Sequence, residues 1–479
     1  MKLKYEMTDS KKLYDTVIKN GYCIGCGTCT SIPSSPFSIK LDQFGNYVAE
    51  PNSDNLLEQD VQLLDVCPFS DNSKDEDELS SIYLHENSYT DDKIGKYSSC
   101  YAGHVKHGDY RKRGSSGGFI KWFASKLMEQ GKIDYFIQLS TCSKGANSSF
   151  NPLFEYKTFN ESEGIINGSK SAYYPATLND VIKVIRENEG AYAITGVPCF
   201  IKALRLISEK ESVVKDRLKY TFGIICGGMK SANQSKMIGW QLGILPNDLS
   251  GIDFRRKYSN RPADQKIYQV WSKKDNKERY QDSSQIYGTD YGAGFFKPKA
   301  CDYCDDVVAE TADVSVGDAW LKDYSKDPKG NSLIIVRNRE LQEIIDGYLK
   351  RDELCLDAIT SKDVVIAQAG GFRHRREGLS YRLKKKSQIN EWYPPKRVSL
   401  NKIELTEKRK LIYDLREKIA AKSHLSFRKA LNNNDLNVFF REMSPLVSRY
   451  QSLNEVSKLR LILRKLKRVF IYDVLRRYS

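Results

Sequence analysis

"AYAITGVPCFIKALRLI" (residues 191–207) reads as a strand, a turn and a helix, in that order. AYAIT is a short apolar run of strand character. Gly196 and Pro198 turn the chain, and Leu204, Ile207 and their neighbours then share one helical face. Cys199 stands at the junction. Similar runs recur at YFIQLS (135–140), YTFGIIC (220–226) and ADVSVGDAW (312–320), separated by helical patterns, from about residue 91 to about 390. That alternation predicts an α/β domain. In an open α/β sheet, residues just past the strand ends converge on the crevice where ligands bind. Cys226 lies there, followed by Gly227 and Gly228, which let a backbone approach a bulky object. Cys301 and Cys304 form KACDYC. Spacing alone leaves these four open. Lone Cys199 and Cys226 suit ordinary buried small residues, and the pair suits half a zinc site or a redox dithiol.

Upstream, GYCIGCGTCTSIPSSP (21–36) starts like a bacterial ferredoxin: Cys23, Cys26 and Cys29 keep the C-x-x-C-x-x-C spacing. Pro33 then occupies the position of the expected fourth cysteine. The candidate fourth ligand is Cys67 in DVCPFS, followed at once by Pro68 as in the ferredoxin run. The segment between, FSIKLDQFGNYVAEP (37–51), alternates around a Phe-Gly-Asn turn and predicts a hairpin that brings the ends together. Four thiolates here favour a 4Fe-4S cluster. The alternative is structural zinc, for which two C-x-x-C pairs sharing Cys26 are awkward.

At 479 residues the chain is long enough for two or three domains. Hydrophobic residues at 40% and aromatics at 11% suit a packed fold rather than disorder. The net charge of +15 favours anionic partners without choosing among nucleic acid, acidic carrier proteins, phosphorylated cofactors and membrane surfaces. The opening MKLKYEMTDSKK lacks the apolar core of a signal peptide, and no stretch has the length of a membrane span. These features predict a cytoplasmic location, where clustered cysteines mean metal or redox chemistry. Three blocks are expected: residues 1–90, closed by an acidic linker SDNSKDEDELSS (70–81); residues 91–390, the α/β domain; and residues 391–479, helical and basic.

Several segments together resemble the beta subunit family of coenzyme F-420 hydrogenase/dehydrogenase, which includes ferredoxin-dependent chlorophyll-pathway reductases. They are GSSGGFIKWFASKLMEQGKID (114–134), YAITGVPCFIKALR (192–205), FGIICGG (222–228), KPKACDYCDDVVAETADVSVGDAW (297–320) and GNSLIIVRN (330–338). The resemblance covers most of residues 21 to 340. It implies a flavin-binding α/β (α+β) domain behind an N-terminal ferredoxin-like 4Fe-4S domain, with FAD and two 4Fe-4S clusters. By the same resemblance Cys23, Cys26, Cys29 and Cys67 hold one cluster, and Cys199, Cys226, Cys301 and Cys304 the other. The chain departs from the family at Phe200 and Gly227, where the family often has a polar residue and a His. FRRKYSNRP (254–262) matches the family's Arg-x-Lys element only in part.

RKRGSSGGFIKWF (111–123) then reads as an anion site. Ser115, Ser116, Gly117 and Gly118 precede a helix whose first N–H groups can cradle a pyrophosphate. Lys112, Arg113 and Lys121 add charge. The plain alternative is a flexible Gly/Ser loop. Asp318 is a candidate acceptor for a ribose or flavin N–H, or a turn cap. Lys257 is a candidate partner for cofactor phosphate or reduced flavin. Trp320 packs on a ring or in the core, and the His residues form no ligand pattern. No catalytic residue stands out.

The function expected is an oxidoreductase relaying electrons between a one-electron donor such as ferredoxin, the clusters, FAD and an organic acceptor. An F-420-oxidising subunit feeding a partner enzyme is the alternative. Two basic stretches follow, GGFRHRREGLSYRLKKK (370–386) and KLRLILRKLKRVFIYDVLRRYS (458–479). In the second, Leu459, Leu463, Leu466, Phe470 and Val474 share a helical face. It suits a terminal helix with a solvated basic face, or a dock for an anionic membrane surface or acidic partner, peripheral to the membrane's inner face. A reading from another class is a zinc-stabilised nucleic-acid-binding or scaffold protein, but aromatic–basic base-reading motifs are absent.

Overall fold

The computed structural model describes residues 7–53, 57–84, 89–142, 152–258, 261–400 and 404–454. The amphipathic run 458–479 lies outside the described residues. Eight strands form the central sheet: β1 (Ser99–Val105), β2 (Tyr135–Thr141), β3 (Phe154–Phe159), β4 (Tyr192–Gly196), β5 (Leu218–Ile224), β6 (Val314–Asp318), β7 (Ser332–Val336) and β8 (Leu354–Ala358). Their order across the sheet is β8-β1-β7-β6-β5-β4-β2-β3. The four strand-like runs of the sequence are β2, β4, β5 and β6. They stand side by side and run parallel. The outer pairings are antiparallel. The fold is therefore mixed α/β.

Residues buried on both faces explain the near-continuous apolar strands β4 and β7. The helix Phe119–Glu129 covers one face, with Phe119, Trp122, Phe123 and Leu127 buried. Phe123 meets Phe222 edge-on at 6.0 Å between ring centroids. The helix Pro198–Lys210 starts directly after β4, with Pro198 in its first turn where no backbone N–H is missed. Its Ile201, Leu204 and Ile207 share one core with Leu13, Phe37, Leu64 and Val66 of the N-terminal segment. Residues 7–84 thus pack on the α/β domain through a continuous core.

Two N-terminal features show how local chemistry sets structure. Phe37–Leu41 pairs antiparallel with Tyr47–Pro51, and Asp42 accepts the N–H groups of Phe44 and Asn46 to close the turn. The acidic stretch read as a linker is half helix. Glu76–Tyr83 is helical because Asp75 and Glu78 make a capping box, with Asp75 accepting from the Glu78 N–H at 2.9 Å and Glu78 from the Asp75 N–H at 2.7 Å. Sequence composition missed it because its acids are answered by cations far along the chain. Glu76 pairs with Lys202 at 3.3 Å and with Arg397 at 3.4 Å.

Beyond the sheet, Leu249–Arg256, Ile267–Ser272 and Glu278–Asp282 form a three-stranded antiparallel sheet. The helices Glu407–Asn433 and Leu436–Asn454 pack against each other, and Ile419, Phe427, Phe439 and Met443 join Met237 and Phe296 in a second core. The basic stretch 370–386 is built into two helices, Ala369–Arg375 and Glu377–Gln388. His374, Arg375 and Arg382 face inward and are buried rather than solvated. Among the described residues, no helix is long and apolar enough to cross a membrane.

Candidate functional site

The eight cysteines that the sequence singles out fall into two sets. Cys29 lies in the electrostatic range of Cys26, Cys23 and Cys67, and all four line one small cavity with Val17, Ile24 and Phe69. The positive-φ residue Gly27 caps the short helix that carries Cys29, and the three-residue helix Leu64–Val66 delivers Cys67. Only half of the second set comes from strand ends. Cys199 follows β4, Cys226 follows β5, and Cys301 and Cys304 bracket the end of the short helix Lys299–Tyr303. Cys199 feels Cys304, Cys301 and Cys226, and also Cys26 of the first set. The two sets are therefore adjacent.

All eight are free thiols. Burial pushes the Cys23 thiol up to about 11, against the backbone N–H of Ala49 that donates to its sulfur at 3.4 Å. Burial likewise raises Cys26, Cys29, Cys67 and Cys199, takes Cys301 up to about 12 and Cys304 to about 11. Buried thiols so raised keep their protons unless a cationic centre takes their place, which is what iron does in a cluster. Each set offers four cysteine sulfurs, the donor type and number that such a centre takes. Backbone N–H groups of Gly228 and Met229 already point at Cys226 and Cys301, each at 3.3 Å. Among the described residues, no three His, Cys, Asp or Glu side chains are placed to share a single metal ion.

A cavity of about 250 Å³ opens beside the second set. Gly114, Ser115, Ser116 and Gly118 line it, as do Cys226, Gly227, Gly228 and Asp318. Gly118 is required where it stands: its φ is +83°, and a Cβ there would come 2.5 Å from the Tyr110 carbonyl carbon. Gly117 lies just behind the wall. Gly227 has a different reason. A Cβ there would approach the Tyr291 ring to 2.5 Å, so Tyr291 takes the space that a side chain at 227 would fill. Lys121 and Lys170 are on the wall but engaged, Lys121 donating to the carbonyls of Arg113, Ile166 and Gly168 and Lys170 pairing with Asp253 at 2.8 Å, while the Ser169 hydroxyl, on a residue of the same wall, is buried with no partner among the described residues. A cofactor with an anionic tail and a polar ring fits this lining.

Two sequence candidates are otherwise engaged. Both Asp318 carboxylate oxygens accept from Arg255, at 2.8 and 2.9 Å. Lys257 does not line the cavity. Its ammonium donates to the carbonyls of Arg111, Ser116 and Lys329, so it ties the glycine-rich loop from behind.

Tyr173 was not marked by any pattern in the sequence. It lines the cavity, and Lys266 donates to its hydroxyl at 3.3 Å. Burial would push the phenol up, but Lys266 and Arg255 outweigh it and hold it below its ordinary value. Such a group can give up a proton inside the cavity.

Two family models match the chain in order. The one for the amino-terminal region of the coenzyme F-420 hydrogenase/dehydrogenase beta subunit matches residues 100–183, and the one for the carboxy-terminal region of the same protein matches residues 190–362. A coenzyme F-420-dependent sulfite reductase of Methanocaldococcus jannaschii is 22% identical over 422 residues, covering 80% of this chain and 58% of that protein. The chain thus spans under two thirds of that relative's length. A chain of the F-420-reducing NiFe hydrogenase complex from Methanosarcina barkeri superposes with a TM-score of 0.48 at 15% identity, covering 64% of this chain and 98% of that one. With both family models matched over more than half of its length, the chain belongs to the coenzyme F-420 hydrogenase/dehydrogenase beta subunit family.

Proposed function

We propose that the chain is an iron–sulfur flavoprotein oxidoreductase, exchanging electrons between a one-electron carrier such as ferredoxin and an organic acceptor. One observation carries it: two four-cysteine sets adjoin through Cys26 and Cys199, and the second opens on the cavity through Cys226. Cys23, Cys26, Cys29 and Cys67 would hold one 4Fe-4S cluster, and Cys199, Cys226, Cys301 and Cys304 another. Ser115, Ser116, Gly118 and the start of the helix Phe119–Glu129 would hold FAD. When bound, the clusters supply one-electron steps and the flavin joins these to two-electron chemistry.

The chain's own groups do the rest. Apolar walls keep water from the first set. Arg255 fixes Asp318 at the cavity wall, and Lys257 fixes the loop. Tyr173 holds a proton at Oη, with Lys266 placed to restore it. Anaerobic purification tests this reading. The expected product is a brown protein with about eight iron and eight sulfide per chain, releasing FAD on denaturation. A colourless protein containing zinc would overturn it.

A second reading is favoured by the family itself: reduced coenzyme F-420 as donor, with electrons leaving through the clusters to a partner. Rapid-mixing absorbance separates the two, because the true donor bleaches the flavin within the turnover time and the other does not.

A further inference from the structure

The second cysteine set faces a cation that has no carboxylate of its own. Arg375 is 2% exposed. Its guanidinium donates to the Asp306 carbonyl, and its Nη2 lies 3.6 Å from Cys226 Sγ. The groups that answer its charge are Cys304, Cys226 and Cys301, and among the described residues no ion pair joins it to an Asp or Glu. Several nearby cations have carboxylate partners, whereas Lys230 and Arg382 donate to backbone carbonyls. Lys297 pairs with Asp302 at 2.5 Å, Lys396 with Asp305 at 3.7 Å, and Arg397 with Asp305 at 3.4 Å. A buried cation gains most where an opposite charge meets it, and thiolates around iron and sulfide would supply that charge.

The first set has nothing comparable. Among the described residues, its cavity is walled by Leu13, Val17, Ile24, Ile39 and Phe69, with no Lys, Arg or His in the lining. Both sets receive N–H···S contacts, so the fixed cation is the main difference between them. Net charge near a cluster moves its reduction potential, because each added electron makes the cluster more negative.

We propose that Arg375 is the fixed countercharge of the cluster held by Cys199, Cys226, Cys301 and Cys304, and that it sets this cluster's reduction potential above that of the first. The proposal rests on the two-cluster reading above. It assigns a direction. A carrier protein oxidised by one electron at the first set leaves that electron resting at the second, beside the cavity. No bond forms or breaks and no proton moves in this transfer.

An anaerobic redox titration of the full-length holoprotein, followed by electron paramagnetic resonance, reads the potentials directly. Wild type should show two one-electron waves separated by at least tenfold in reduction equilibrium, about 59 mV. Arg375→Gln should lower the upper wave by at least tenfold and leave the lower one in place, and Arg375→Lys should recover most of the loss. If both waves stay put in Arg375→Gln, or the lower one moves instead, the proposal is overturned. Cys29→Ala supplies a second measurement that does not depend on the Arg375 variants. Removing the first cluster should leave the upper wave, and a surviving lower wave overturns the order. A protein without iron and sulfide overturns the two-cluster reading itself, which is a different result from two clusters in the wrong order.

Discussion

The two cysteine sets use the same donors in opposite surroundings. The first is nearly local: three cysteines share one short loop, and a hairpin and a three-residue helix return the chain to the fourth. Its walls are apolar. The second is a product of topology. Cys199 and Cys226 follow two neighbouring parallel strands, the Cys301–Cys304 pair comes from a short helix far along the chain, and the surroundings are charged, with Arg375 at 3.6 Å from Cys226. The difference teaches that ligand type fixes which centre can be held, while the surrounding charge fixes what the centre does with an electron.

The largest expected effect breaks the pair into its halves. Cys67→Ala and Cys301→Ala should each remove about half of the iron, read by metal analysis on anaerobic protein. Total loss from either single change would show that the sets do not load independently. Next comes Tyr173→Phe, which touches only the second set's side of the comparison. It should slow reduction of a proton-requiring acceptor by about 10²–10⁴-fold and leave one-electron exchange with the carrier unchanged. Tyr173 donates only while protonated, so this activity should fall as pH rises through a value below 10. Lys266→Met removes the main cation and should move that limb upward; Arg255, Asp318, Tyr268 and Tyr291 also face the phenol.

Smaller changes sharpen the contrast. Arg397 joins Glu310 at 2.8 Å, Glu76 at 3.4 Å and Asp305 at 3.4 Å. The Glu310 side chain is 1% exposed. Arg397→Met removes one cation from a network that Lys202, Lys396 and Arg376 still serve and should cost about 1.5–3 kcal/mol of stability, measured by anaerobic denaturant unfolding. Because Arg397 touches both the N-terminal helix and the loop after Cys304, the two sets should lose iron together. Gly118→Ala should cost about 1–2 kcal/mol for the left-handed backbone and, in addition, force the Tyr110–Arg111 backbone to shift. It should lower flavin content while iron content holds. Iron loss in that variant would place the cavity and the clusters in one unit.

Much of this was legible because it rests on local chemistry. The apolar runs at 135–140, 192–196, 220–224 and 314–318 are the parallel core of the sheet, and Gly196 and Pro198 mark the turn that carries Cys199. The glycine-rich loop does line the cavity. What escaped depends on partners distant in sequence. Arg375 sits in a run of cations that reads as a solvated basic patch, yet its sulfur partner is 149 residues away. Lys257 reads as a ligand group but is held by three backbone carbonyls that no pattern could announce. Tyr173 gains its character from Arg255 on the neighbouring small sheet and from Lys266 just before that sheet's middle strand.

The segment around Arg397 is translated after every one of the eight cysteines. Arg397 is the last-made member of an ion-pair network whose other cations, Lys202, Arg376 and Lys396, all precede it, and with it the carboxyl-terminal side of the chain is tied at once to the N-terminal helix and to the loop after Cys304.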